Sequence, residues 1–368
     1  MKTTKTKGFC RFRNSLGISK KRGIIELQFN WIFVLIAGAI IFVFFINIVN
    51  KQREFSEVRT SGTIITNLDS ILTGAQVSTN TVNIIEMPKV DINFECDKYF
   101  IGSSPKQTKG NVIFAPDLLK GKKVITWALD WNMPYRVTNF LYITDPELRY
   151  IIVNNSKNLG KVIFDELPEE MNKELVHPNE LGDLKDKNNY KVKFIFLGDI
   201  NNNGLTNLGK MQDKDITGIQ IVGINNENVL PSTGTIKFLQ KKGDFWDQRT
   251  ETFYLKKESL YGAIFAADKE MYDCVMKKAF TKLNLLTQIY LARSTRLSDY
   301  YGIDNANCAN AHYQAKVQLE YIKDSSQLRI TDFPATNGIN NMIAMRDFNT
   351  HIKDENQRAQ LFSCALIY

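Results

Sequence analysis

Between Leu27 and Asn50 the chain runs for 24 residues without a single charged side chain. Its centre, Trp31-Ile-Phe-Val-Leu-Ile-Ala-Gly-Ala-Ile-Ile-Phe-Val-Phe-Phe-Ile46, is apolar on every face of a helix. About 20 such residues at ~1.5 Å each cross the ~30 Å hydrocarbon layer of a bilayer. A core helix of a soluble protein keeps a polar stripe, and this segment has none. The segment is therefore read as a transmembrane helix. Trp31 stands at its start, where an indole suits the headgroup boundary.

The flanks set the expected orientation. Lys2, Lys5, Lys7, Arg11, Arg13, Lys20, Lys21 and Arg22 precede the run with no acid among them. After it, Lys51, Arg53 and Arg59 are offset by Glu54 and Glu57. Excess Lys and Arg marks the cytoplasmic side, so the N-terminus is expected inside and the C-terminal part outside. The same eight cations account for the whole net charge of +8, because the remainder carries 39 basic and 39 acidic residues. A neutral domain lacks the field that a phosphate backbone requires, which argues against nucleic acid as a partner.

Lys20-Lys21-Arg22-Gly23 stands directly before Ile24-Ile25-Glu26 and the apolar run. This junction resembles the class III, prepilin-type signal of archaeal type IV pilin-like proteins. The resemblance implies cleavage after Gly23 on the cytoplasmic side, with the helix kept in the mature protein. Glu26 would then be the third mature residue, whereas bacterial pilins carry theirs at the fifth. The alternative is that Lys20–Arg22 serve only as the cytoplasmic anchor. The stretch Gly23–Ala39, together with Asn67–Gly74, Trp127–Tyr135 and Asp268–Cys274, is also similar to a group of uncharacterised archaeal single-pass membrane proteins. That second resemblance implies no activity.

Apolar residues continue at helical spacing past the membrane run: Phe55, Val58, Ile64, Ile65, Leu68, Ile71 and Leu72. The helix is expected to reach about residue 73, with Gly74 as its stop and a weak point at Thr60-Ser61-Gly62. Four segments result: a basic tail over 1–23, a membrane helix over 24–50, a helical stalk over 51–74 and an outer domain over 75–368.

The outer domain reads as α/β with a mixed sheet and several helices. Strands are expected at Ile84–Phe94, Val112–Phe114, Val124–Leu129, Phe140–Thr144, Tyr150–Val153, Val192–Leu197, Ile216–Val222, Thr235–Leu239, Tyr261–Ala266 and Leu361–Tyr368. Ala115-Pro116-Asp117 suits the first turn of a short helix. Lys161–Leu175 suggests a short strand and a short helix, and the polar stretch His177–Asn189 a loop that is a candidate seam. The clearest helix starts at the N-cap Asp268, carries the stripe Met271, Val275, Ala279, Leu283, Leu286 and Tyr290, and stops at Gly302. Ala311–Ile322 and Ile339–Ile352 carry helical patterns.

Of five cysteines, Cys10 lies in the basic tail and is expected to be a free thiol. Cys96, Cys274, Cys308 and Cys364 fall in the domain expected outside, where thiols oxidise, so disulfides are expected among them. Three full pairings are open. An unbroken helix over 268–301 would hold its ends ~45–50 Å apart, which disfavours Cys274 with Cys308.

Asp199-Ile-Asn201-Asn-Asn203-Gly204 matches the first half of a calcium loop, whose oxygens at alternate positions converge on the ion. Position 12 is Lys210 instead of an acid, and the stretch reads equally as a tight Asn-Gly turn. Calcium is thus the one candidate cofactor. Asn154-Asn155-Ser156 is a glycosylation sequon. Asp130, between Trp127 and Trp131, suits a binding pocket, while the two indoles and Tyr135 suit packing. His177, His312 and His351 lack partner motifs. The chain has no G-x-S-x-G, H-E-x-x-H or Walker sequence. These features favour a non-enzymatic, membrane-anchored surface protein that is pilin-like or acts in assembly, adhesion or partner binding, with protein partners or self-association. The alternative is a membrane-tethered enzyme acting on envelope material. Acids of raised pKa gathered in one cleft would support that alternative.

Overall fold

The structure is a computed structural model that describes residues 23–368 except 109, 155–157, 199, 201–207, 209–210, 223–229 and 332–337. Side chains are described for the same residues apart from 23–30, 53–61 and 248–250. The chain divides into two compact units, Met1–Arg59 and Thr60–Tyr368.

Helix α1 covers Gly23–Val77. Within the first unit, Trp31–Asn50 shows no buried residue, and side chains such as Phe33, Leu35 and Phe42 stand two-thirds exposed. Among the described residues, Trp31–Gln52 is the single span long and apolar enough to cross a membrane. Such a surface is stable only when something apolar covers it.

The second unit takes in the last turns of α1, whose Ile65, Leu68, Leu72 and Ala75 are buried in its core. The expected stalk is thus a core helix of the second unit over these turns. Gly74 is not its stop, because the helix runs on to Val77 before Ser78 N bonds back to Gly74 O.

Three sheets follow. The first comprises β1 (Thr81–Glu86), β5 (Val112–Phe114), β7 (Lys123–Asn132) and β8 (Arg136–Thr144), in the order β1-β7-β8-β5. Strands β7 and β8 form a hairpin in the register Ile125↔Thr144, and β5 lies parallel to β8. A small second sheet has the order β4-β3-β2-β6, from β2 (Ile92–Phe94), β3 (Lys98–Ile101), β4 (Ser104–Gln107) and β6 (Leu118–Leu119). Its β3–β4 turn needs Gly102, at φ +59°. The third sheet holds β9 (Leu148–Val153), β10 (Asn172–Val176), β11 (Lys191–Leu197), β12 (Ile216–Val222), β13 (Thr233–Lys242) and β14 (Phe245–Leu255). Its order is β10-β9-β11-β12-β13-β14, with the first four strands parallel and the last two antiparallel. The expectation of an α/β domain with a mixed sheet holds.

Helix α2 (Leu159–Glu166) makes the crossover from β9 to β10. Side chains alternate between the two faces of the parallel strands. Ile152, Ile195 and Ile219 face the main core, while Ile151, Phe194 and Phe196 meet Leu181, Leu208 and Trp246 on the other side. The stretch 177–189 is therefore no seam. It forms a single 3-10 turn, Pro178–Asp183, capped by His177, and plants Leu181 on the sheet.

Helix α3 (Lys257–Phe265) stands where a strand was expected at Tyr261–Ala266. Every residue from Ser259 to Phe265 is buried, so no polar face marks a helical period. Ala115-Pro116-Asp117 opens no helix either. Its carbonyls are taken by other segments, Ala115 O by Ala267 N and Asp117 O by Phe94 N. Helix α4 (Lys269–Tyr301) starts as expected, with the Asp268 carboxylate accepting from Met271 N at 2.8 Å, and ends at Gly302. Helices α5 (Ala306–Thr331) and α6 (Gly338–Leu361) complete an antiparallel trio. The expected C-terminal strand does not form. The amides of Ala365 and Ile367 bond to the Tyr301 hydroxyl and the Asn356 carboxamide, so no ladder partner receives them.

Candidate functional site

Four of the sequence-predicted residues are joined in pairs. Cys96 is bonded to Cys274 and Cys308 to Cys364, with Cα separations of 6.0 and 5.6 Å. The first bridge ties the small β2–β3 sheet to α4, and the second ties the start of α5 to the segment after α6. Asp97 lies beside Cys96 and Cys274 in a cluster with the spacing of metal ligands, but sulfurs bonded to each other do not take a cation. Gly23 is the first residue of α1. Asn154 follows β9, and its Oδ1 accepts from Gly160 N, the second residue of α2. Asn155 and Ser156 of the sequon, and Asp199, Asn201 and Asn203 of the calcium-like loop, lie outside the described residues. His312 is fully buried against Tyr301, while His351 is exposed.

The arrangement with chemical potential lies elsewhere, in a cleft of about 550 Å³ walled by β7, the end of α2 and the start of α3. It begins with a backbone constraint. Lys256, just before α3, has φ +67° and ψ 159°, a conformation that L side chains rarely adopt. Several bonds fix it there. Lys256 N donates to Ser232 O at 2.5 Å, and the Ser259 hydroxyl accepts from Leu255 N at 2.8 Å. That hydroxyl also lies 2.7 Å from Leu255 O and 2.9 Å from Lys256 O. The Trp131 indole donates to Leu255 O at 3.3 Å, and the Tyr142 hydroxyl to Glu258 O at 2.7 Å. The sharp turn brings Lys257, Glu258 and Tyr261 to the wall of one cavity.

Three carboxyl groups meet there. Glu166, the last residue of α2, accepts from Lys257 Nζ at 2.9 Å and from the Tyr261 hydroxyl. Asp130 on β7 accepts from the Asn132 amide at 2.5 Å. Glu258 is different. Burial pushes its pKa up, and the negative charge of Asp130 adds to this, against its own backbone amide and Lys256 and Lys257. Its Oε2 is buried without a hydrogen-bond partner. Burial also lowers the pKa of Lys256. Trp127 and Leu129 supply the apolar part of the wall, and Asn80, at φ +58°, stands on the rim.

Chemically, the cleft sets a carboxylate held by two donors beside a carboxyl biased toward its neutral form. That combination offers acceptors and a proton donor side by side. Of its parts, the sequence points to Asp130, while Trp127, expected to pack, also lines the cleft. Trp131 and Tyr135 are core residues, with the Tyr135 hydroxyl 2.5 Å from that of Thr287. The sequence does not point to Asn80, Glu166, Lys257, Glu258 or Tyr261. The one available signal is Lys256-Lys257-Glu258-Ser259 ahead of an apolar run, a stretch that opens α3.

A second cleft, of about 710 Å³, lies at the amino ends of β11 and β12. There Lys191 pairs with Asp117, and the Tyr190 hydroxyl donates to Asp145 at 2.5 Å. Asp145 also receives the amides of Lys120, Glu147 and Leu148 and so pins the β8–β9 turn.

Neither family profiles, nor curated proteins, nor solved structures match this chain.

Proposed function

We propose that the chain is a membrane-anchored surface protein with its basic N-terminus in the cytoplasm and the unit Thr60–Tyr368 outside. Its role is to bind a partner or to assemble with like subunits, as the pilin-like junction at Gly23 suggests. The observation that carries this reading is the pairing of all four cysteines of the second unit in two bridges. Disulfides persist outside the cytoplasm and are reduced inside it. The uncharged helix with eight cations before it supports the same orientation.

The test is alkaline carbonate extraction combined with protease treatment of intact cells. The protein is expected to stay with the membranes and its outer unit to be digested from outside. Release into the soluble fraction, or full protection of 60–368, refutes the reading. Mass spectrometry of the same sample reads cleavage after Gly23 as a new N-terminus at Ile24.

A second reading, a membrane-tethered enzyme acting on envelope material, is favoured by one observation, the buried carboxyl of Glu258 beside Glu166 and Asp130. It requires turnover of an envelope polymer that is abolished by Glu258→Gln.

A further inference from the structure

The second half of α4 has neighbours on two sides and one open face between them. On one side lies α5, where Asn284 Nδ2 donates to Lys323 O at 2.8 Å and Ser298 Oγ to Ala309 O at 3.2 Å. On the other lies the C-terminal segment, where Arg293 Nε donates to Leu366 O at 3.1 Å and Tyr290 meets the Tyr368 ring. At about 100° per residue, Leu285, Ile289, Ala292, Arg296 and Asp299 fall between these two sides. All five are exposed. Leu285 and Ile289 are 58% and 62% exposed, and Ile303, just past the helix, 97%. Large apolar side chains left open at helical spacing mark a surface that another apolar surface covers.

The charges of this face are ordered along it. Arg293 and Arg296 come first, Asp299 and Asp304 after. Among the described residues, the side chains of Arg296, Asp299 and Asp304 make no hydrogen bond or ion pair. Asp299 stands in the last turn of α4, which holds no basic residue. An acid at that end opposes the helix dipole, and a cation placed before an acid is the weaker order for pairing within one helix. A cation supplied from outside the helix offsets both.

This order selects the occupant. Two α4 helices set antiparallel, with a two-fold axis between Leu297 and Ser298, place Arg296 of each opposite Asp299 of the other and bring Arg293 toward Asp304. Each contact then occurs twice, as an isologous interface requires. The same axis lays Ile303 of one copy against Ala292 and Ile289 of the other, so that apolar meets apolar beside the charges. Parallel helices would set like charges together. A nucleic acid or an anionic lipid surface, being of one sign, would meet its own charge in Asp299 and Asp304.

We propose that this face of α4 docks a second copy of the chain, through a two-fold antiparallel contact in which Arg296 of each copy pairs with Asp299 of the other. The contact rests on the assembly role proposed above and is independent of the membrane orientation.

The experiment is sedimentation equilibrium of the full chain in density-matched detergent. A dimer is expected, weakened by added salt. Arg296→Asp and Asp299→Arg are each expected to weaken it by about tenfold or more, because both attractive pairs become repulsive. An equimolar mixture of the two variants is expected to dimerise again, since positions 296 and 299 are then opposite in sign at both contacts. Ile289→Asp is expected to weaken the dimer without such rescue. These side chains are exposed, so melting should stay cooperative. Should a reversal variant fail to melt cooperatively, Arg296→Gln takes its place, with an expected loss of about threefold or more. A chain that is monomeric throughout overturns the proposal and self-assembly with it, leaving partner binding as the role. A dimer that none of the substitutions weakens places association elsewhere and overturns the α4 contact alone, as does a loss that mixing the two variants does not restore.

Discussion

Removing the Cys308–Cys364 bridge tests how the C-terminal helices are held. The bridge closes a loop of 56 residues and the Cys96–Cys274 bridge one of 178. Restricting the unfolded chain in this way stabilises by about 4 kcal/mol for the shorter loop and about 5 kcal/mol for the longer one. These are upper figures, since measured values centre on about 2–4 kcal/mol. The second unit, Thr60–Tyr368, has roughly 300 residues and so an unfolding entropy of about 0.6 kcal/mol/K. Loss of about 3 kcal/mol then lowers its melting temperature by about 5 °C. Cys308 and Cys364 pack with Ala311, Ala359 and Tyr301, so paired replacement by alanine adds a small cavity term to the same sign. The assay is calorimetric melting of the full chain, wild type against Cys308→Ala/Cys364→Ala and Cys96→Ala/Cys274→Ala. The two bridges close separate loops, so their effects should add in the fourfold variant. A fall below about 1 °C for both double variants would refute the reasoning, as would labelling of all five cysteines in denatured, unreduced protein.

Three further outcomes follow from single positions. Lys193 is buried in β11 with its Nζ on the carbonyls of Ala263 and Ala266 at the end of α3, and burial lowers its pKa to about 7. The unfolded chain therefore binds more protons between pH 7 and about 10.5, so stability should rise with pH across that window and flatten in Lys193→Met, as read by urea unfolding at several pH values. Arg149, also buried, grips Glu174 through two nitrogens at 2.8 and 2.7 Å and holds Lys185 O at 2.8 Å. Arg149→Met should cost about 3 kcal/mol by denaturant unfolding. Burial opposes the Glu174 charge, but Arg149 and Lys187 outweigh it and hold its pKa down. That share of stability is present above the ordinary carboxylate range and is lost as the pH falls through the depressed value, so acid should narrow the difference between variant and wild type. A methyl group on Gly262 would sit 2.7 Å from the Phe114 ring, so Gly262→Ala should destabilise by about 1–3 kcal/mol in the same assay, with no effect expected at the more open Gly182.

The sequence by itself determined the features that are local along the chain. An uncharged apolar run of this length specifies a helix long and apolar enough to cross a membrane, because length and hydropathy are local properties of the chain. The Asp268 cap and the Met271–Leu283 stripe specify α4 in the same way, through a side chain three residues from the amide it bonds and a period of 3.6. Most strands of the third sheet were legible from their Val, Ile and Phe content. Tertiary structure decided the rest. Residues 259–265 are apolar or small throughout and buried all round, so they carry no period, and the packing of Gly262 on Phe114 makes them a helix. Residues 365–368 have the composition of a strand, but the side chains of Tyr301 and Asn356 take their amides. Which cysteines meet depends on segments 178 and 56 residues apart, a separation that composition does not encode. The cleft depends on Asn80, Asp130, Glu166 and Glu258, four positions spread over half the chain. Each is unremarkable in its own stretch of sequence. Only the packing of α3 between two sheets removes water from Glu258 while leaving Glu166 its two donors, and that difference in solvation gives the site its chemistry.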